Sequence, residues 1–311
     1  MRTRRGKLGS IEIPLRVLKP YDFQLTLRAL SSFVPGVSSP QRKLRLAARI
    51  KGCPVVIEIS EGEIRPHNLG AVFHPKSDPD QVRAIAEWVI FADLDLAPFY
   101  RLTGKDRKVA DLTKRLHGLK PSRPVSLFEM AAVAITEQQL SLASAHAIRN
   151  RIIQKFGEPV EDLWVFPEPD VLARASPEKL RACGLSRQKS DYIQSLAKNI
   201  AAGELDIEIL KGMDDDEARQ LIMTWKGFGP WSADYILVRG LARADSVPLD
   251  DLGVRDVVGK YLLGGRRATR EEVAEQLEPY RPYRGLLAFY LLADHLLEKA
   301  GLGGANPNGA A

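Results

Sequence analysis

The residues with the most chemical potential lie between Asp214 and Tyr261. Lys226-Gly227-Phe228-Gly229-Pro230-Trp231-Ser232-Ala233 separates two helical stretches, and its Gly-x-Gly makes the connection very short. Glycines permit positive φ and close backbone approach. Pro230 suits a first helical position, where no N–H is required. The unpaired N–H groups that follow, with the charge of Lys226, favour a phosphate. Such a hairpin holds a nucleic-acid backbone without reading its bases. Taken alone, the same residues also fit a plain αα-hairpin. Eighteen residues after Pro230 begins Pro248-Leu249-Asp250-Asp251-Leu252-Gly253-Val254-Arg255. Its carboxylates can serve a reaction or simply N-cap the following helix, and spacing alone favours the cap.

Other chemistries lose ground on residue counts. Two cysteines, Cys53 and Cys183, cannot supply a four-cysteine metal site or a disulfide framework. The five histidines are scattered, with no metal-protease or zinc-deaminase pattern. No run of about 18 apolar residues is present, so no membrane-spanning helix is expected. The basic Met1–Ser10 has no apolar segment behind it, so no secretory signal is expected either. Hydrophobic residues make up 45% and charged residues 27%, which is an ordinary globular balance. The net charge of +6 is unevenly spread: residues 1–50 carry eleven Lys/Arg and two acids, whereas residues 201–250 carry five and ten. A basic stretch of this kind hints at an anionic partner, and equally describes a solvated basic arm.

The elements that must hold these groups fall into two kinds. Ser10–Val17, Leu44–Ile50, Val55–Ser60 and Glu63–Phe73 read as strands, while Tyr21–Phe33 and Asp78–Phe91 read as helices. An antiparallel sheet with two helices fits this part. From about residue 105 the strands are expected to stop. Helices are predicted over 106–116, 126–138, 141–156, 176–182, 187–201, 214–224, 230–241, 251–262, 270–276 and 283–299. The fold class is therefore α+β: an N-terminal mixed domain over 1–104, a helical domain over 105–300 and a flexible tail over 301–311.

The hairpin followed by VPLDDLGVR resembles the helix-hairpin-helix/Gly-Pro-Asp superfamily of base-excision DNA glycosylases. Ile135-Thr136-Glu137-Gln138-Gln139-Leu140-Ser141 is similar to its I-x-x-Q-Q-hydrophobic-S segment. Gly184-Leu185-Ser186-Arg187-Gln188-Lys189 is similar to its G-L-S-x-x-K turn. Lys19-Pro20-Tyr21-Asp22-Phe23 and the mixed first domain resemble the 3-methyladenine DNA glycosylase II type, which implies a TBP-like N-terminal half. The resemblance spans nearly the whole chain.

Its implications are specific. Asp251 matches the catalytic aspartate, whose charge would stabilise an oxocarbenium-like sugar or activate water; Asp250 is left a capping or supporting role. Lys226, Gly227, Phe228, Gly229, Trp231, Ser232 and Gln139 would meet DNA, with Gln139 as the wedge that fills the gap behind a flipped base. Trp231, Tyr235 and Tyr283 would form the base pocket, their electron-rich faces suiting a cationic base. No cofactor is required. The backbone carbonyls of Met223, Trp225 and Phe228 would hold a monovalent cation, Na+ or K+. Glu137 departs from the pattern, where Gly or Ser is common, and would be unfavourable facing phosphate. Bifunctional members carry a nucleophilic Lys where Trp231 stands, so the resemblance implies base release without strand cleavage. The expected activity is release of alkylated bases from double-stranded DNA by a cytoplasmic, nucleoid-associated monomer with no membrane partner. Rival readings are a glycosylase for deaminated or oxidised bases and a non-catalytic DNA-binding damage sensor.

Overall fold

The computed structural model describes residues 11–33, 42–61, 69–73 and 78–302. The basic segment 1–10, residues 63–68 of the fourth expected strand, and the tail beyond Leu302 lie outside them.

Strands β1 (Ile11–Pro14), β2 (Leu44–Ile50), β3 (Cys53–Glu61) and β4 (Leu69–Phe73) form an antiparallel sheet in the order β1-β4-β3-β2. The β2–β3 turn is only Lys51-Gly52, both at positive φ, the geometry that matches strand twist in a two-residue hairpin. Along β3, Val55, Ile57 and Ile59 are buried on one face. Helices α1 (Phe23–Phe33) and α2 (Pro79–Val89) complete that core through Phe23, Leu27, Val82 and Ala86. Helix α1 is shared: Leu25 and Ala29 face a second core further along the chain.

The remainder is mostly helical. It comprises α3 (Ala97–Thr103), α4 (Arg107–Arg115), α5 (Leu127–Glu137), α6 (Leu142–Phe156), α7 (Pro169–Arg174), α8 (Pro177–Arg181), α9 (Arg187–Ala201), α10 (Asp215–Met223), α11 (Pro230–Gly240), α12 (Leu252–Leu262), α13 (Arg270–Leu277) and α14 (Arg284–Lys299). Single turns of 3-10 helix occupy Ile207–Lys211 and Glu278–Tyr280. One core gathers α5 to α11 around Ile135, Ile193 and Ile236. The other gathers α3, α4 and α12 to α14 around Leu287 and Tyr290. The active elements come from both, since α11 belongs to the first core and α12 to the second.

Strands do not stop at residue 105. A hairpin of β5 (Glu158–Val160) and β6 (Leu163–Val165) interrupts the helices and packs on β2 and β3. Arg45 pairs with Glu161 at 2.9 Å and Asp162 at 2.6 Å, and Arg49 pairs with Glu158 and Glu168. Helices α3 and α7 and the turn at Ile207–Lys211 were not expected either.

Candidate active site

Helix α10 starts at an N-cap, Asp214, whose side chain accepts from the N–H groups of Asp216 and Glu217. Helix α11 starts differently. Gly229 is its N-cap and offers no side-chain acceptor. The N–H groups of its first turn, at Trp231 and Ser232, are thereby left for another partner. Between the helices, Gly227 takes φ +87°, and a Cβ there would lie 2.2 Å from the Tyr192 ring. The turn is closed by Phe228 N–H donating to the Trp225 carbonyl at 3.0 Å and by an edge-to-face contact of their rings. Lys226 projects from the same turn, half exposed, and pairs with Asp191 at 2.6 Å. A pair this exposed is worth about 1 kcal/mol or less, so a phosphate can displace it.

Ser232 can meet DNA only through its backbone. Its side chain is 2% exposed and its hydroxyl accepts from Gln138 Nε2 at 3.0 Å, so only its backbone N–H remains for DNA. Gln138 also donates to the Gly227 carbonyl at 2.9 Å. One amide thus ties the end of α5 to the hairpin. Lys189, on α9, donates from Nζ to the carbonyls of Thr136 and Gln138, the last acceptors of α5. Gln139 follows at φ +55° and is exposed, beside Leu140 and Leu142, which are exposed by 42% and 38%.

Asp251 both caps a helix and faces the hairpin. Its Oδ1 accepts from Val254 N–H at 3.0 Å, the N-cap bond of α12. Its Oδ2 accepts from Trp231 Nε1 at 2.9 Å. Asp250 does not cap; it is paired with Arg270 at 3.3 Å. Capping and reactivity are therefore not alternatives at Asp251, because each oxygen has its own partner.

Trp231 and Tyr235 stack with centroids 5.0 Å apart and planes 9° from parallel. Tyr235 is partly buried, and its hydroxyl donates to Glu137 Oε2 at 2.6 Å. Glu137 therefore turns inward rather than towards phosphate. Burial raises its carboxyl above the usual range, against the opposing charges of Arg239 and Arg149. His146 Nε2 lies 4.0 Å from Glu137 Oε1. Burial, then the charges of Arg149 and Arg239, push His146 down to about 4, so this contact is no ion pair at neutral pH.

Tyr283 is not stacked with that aromatic pair. It meets Phe99 edge-on at 6.0 Å in the other core, following the cis Arg281–Pro282 bond. Met223, Trp225 and Phe228 fall within one turn, where the Trp225 carbonyl keeps a second lone pair. Among the described residues no cluster of His, Cys, Asp and Glu could hold a metal ion. Nor is any described helix long and apolar enough to cross a membrane. Sequence reasoning missed the bonds made by Gln138, and also Tyr192 and His146; of these only Gln138 lay in a quoted motif.

Comparison with known proteins gives consistent relatives. The model of the HhH-GPD superfamily of base excision DNA repair proteins matches residues 132–282. A DNA-3-methyladenine glycosylase of Bacillus subtilis is 31% identical over 214 residues, 68% of this chain and 70% of the relative. DNA-3-methyladenine glycosylase 2 of Escherichia coli is 30% identical over 279 residues, 87% of this chain and 94% of the relative. The solved 3-methyladenine DNA glycosylase from Archaeoglobus fulgidus superposes with a TM-score of 0.77 at 26% identity, covering 93% of this chain and 98% of that one.

Proposed function

The chain belongs to the HhH-GPD superfamily of base excision DNA repair proteins, and on that premise we infer that it is a DNA glycosylase releasing alkylated bases, 3-methyladenine foremost. One observation carries the reading at the level of atoms: Asp251 meets Trp231 of the second hairpin helix, so a carboxylate stands beside an aromatic face next to a backbone grip.

In this reading the free N–H groups of Trp231 and Ser232, with Lys226, Gly227, Phe228 and Gly229, hold a phosphate near the lesion. The damaged nucleotide swings out of the stack, and Gln139 occupies its place. The base lies against the Trp231–Tyr235 stack, with Tyr283 as a more distant wall. An N3- or N7-alkylated purine is already cationic and needs no proton to leave. As it departs, positive charge passes to the sugar, where the Asp251 carboxylate stabilises it and favours attack by water. The indole N–H on Oδ2 and the N-cap bond on Oδ1 fix that carboxylate without neutralising it.

Trp231 occupies the position of the nucleophilic Lys in bifunctional members, which supports base release without strand cleavage. The carbonyls of Met223, Trp225 and Phe228 would hold a monovalent cation that adds positive charge towards phosphate. One cleft per duplex supports a monomer acting on DNA in the cytoplasm. Domain limits near residues 104 and 300, and a TBP-like first domain, belong to the same reading.

The test is single-turnover base release from methylated duplex DNA, with free bases read by mass. Asp251→Asn is expected to slow release of 3-methyladenine by about a hundredfold or more while duplex binding persists. Equal release by the variant would remove Asp251 from the reaction. Tight binding without release by the unaltered protein would point instead to another lesion or to a damage sensor.

A further inference from the structure

The site contains a second carboxyl that the proposed reaction leaves unused. Glu137 ends α5 with its side chain only 12% exposed. One of its oxygens is occupied, since Oε2 takes the Tyr235 hydroxyl. The other, Oε1, has no hydrogen-bond donor among the described residues, and His146 Nε2 lies 4.0 Å from it. Both residues line a cavity of about 190 Å³, well above the roughly 15 Å³ that admits one water. Leu142, Met130, Val133 and Tyr235 are among its other walls. Tyr235 is therefore shared: one part of it borders the cavity, and its ring stacks on the indole that holds Asp251.

Charged or polar groups act on Glu137 from three helices, while Leu30, Leu44, Leu46 and Arg123 also line the cavity. Arg149 and His146 come from α6, Arg239 and Tyr235 from α11, and Asp251 from the start of α12. Arg149 is itself taken up by Glu129. Glu137 Oε1 is the charged acceptor left over in this group, beside the neutral His146 imidazole.

Resting on the glycosylase reading above, we propose that Glu137 is a specificity-determining residue whose Oε1 accepts a hydrogen bond from the exocyclic amino group of a flipped adenine-type base. A 6-oxo purine would set a carbonyl oxygen against the same carboxylate. A buried acceptor that loses its donor is costly, and two facing acceptors are worse. The pocket therefore prefers 3-methyladenine over 7-methylguanine, although both leave as alkylated cations.

Duplex DNA methylated at both bases tests this, because one reaction yields both products. Glu137→Gln keeps an oxygen for the Tyr235 hydroxyl and turns an amide NH2 towards the cavity. The ratio of 3-methyladenine to 7-methylguanine release is expected to fall about ten- to hundredfold. Tyr235→Phe keeps the stack on Trp231 but frees Oε2, and is expected to move the ratio in the same direction by less. This second variant decides the matter if Glu137→Gln does not fold. Equal slowing of both products, or an unchanged ratio, overturns the proposal and leaves Glu137 as a support for Tyr235. If the unaltered protein releases neither base, the glycosylase reading itself fails, and the inference with it.

Discussion

Asp251 performs two jobs with two oxygens, and substitution can separate them. Asparagine is as good an N-cap as aspartate, whereas alanine is not. Asp251→Ala should therefore lower unfolding free energy by about 1 kcal/mol, as measured in urea, while Asp251→Asn leaves it nearly unchanged. Both variants should lose base release. If both are equally destabilised, the cap bond to Val254 is not what holds the start of α12. Residue types and spacing made this carboxylate visible in the sequence, but side-chain direction was not legible. Glu137, an acid that would be unfavourable facing phosphate, is turned inward, because Tyr235 on a neighbouring helix offers a part-buried donor. The Ser232 side chain faces Gln138, which lies 94 positions away in the chain, and leaves only the backbone N–H for the expected contact with DNA. Tyr283, expected in the base pocket, meets Phe99 edge-on, a contact that was not legible. Each of these outcomes depends on a partner far along the chain that no local pattern reports.

At the scale of elements, caps decided what could be read. Helices α5, α9, α10 and α12 begin one residue after Ser126, Ser186, Asp214 and Asp251, all strong N-cap types, and their limits are close to those expected. Helix α3 starts from Leu96 with no side-chain cap and was missed. The β5–β6 hairpin was missed because its strands are three residues each and one contains Pro159, which argues against a strand except at an edge. The turn before α11 makes a sharper prediction. Gly227→Ala forces a Cβ against Tyr192 at a positive φ, and should cost about 1–3 kcal/mol of stability and weaken binding to undamaged duplex. An unchanged urea midpoint would show that the turn tolerates a side chain. The end of α5 makes another. Lys189→Met removes the donor for the Thr136 and Gln138 carbonyls and should loosen Gln139. Base release from methylated duplex should fall about tenfold, while release from methylated single strands, where nothing needs filling, stays the same. Equal loss on both substrates would make Lys189 a general support.

Over the whole molecule, two shielded groups contribute to the response to acid with opposite tendencies. His146 is held neutral, its folded pKa near 4 lying below the ordinary 6.5. Between those values the unfolded chain binds more protons, so stability falls as pH drops from about 6.5 to about 4. Glu137 is raised, so from about 4.5 upwards the folded state holds its proton longer, and this part of the stability is lost as pH rises. Urea unfolding across pH 4 to 7 should therefore show a flatter loss on acidification in His146→Gln and a steeper one in Glu137→Gln. Identical profiles for all three proteins would mean that neither group is buried as described. The broad architecture, a strand-rich start followed by helices, was legible from periodicity. The sharing of α1 between two cores was not, since a helix that is apolar on two sides reads locally like any other buried helix.

The double bond from Gln138 to Gly227 and Ser232 has a mechanical consequence. On the proposed function, Gln139 probes a vacancy in the base stack and the hairpin turn seats on the strand; the Gln138 amide joins the two, so they would act as the jaws of a caliper. In that arrangement the DNA would come to the gap rather than the gap to the DNA. A backbone lengthened by an extra unpaired nucleotide between the two contact points can satisfy one jaw or the other, but not both.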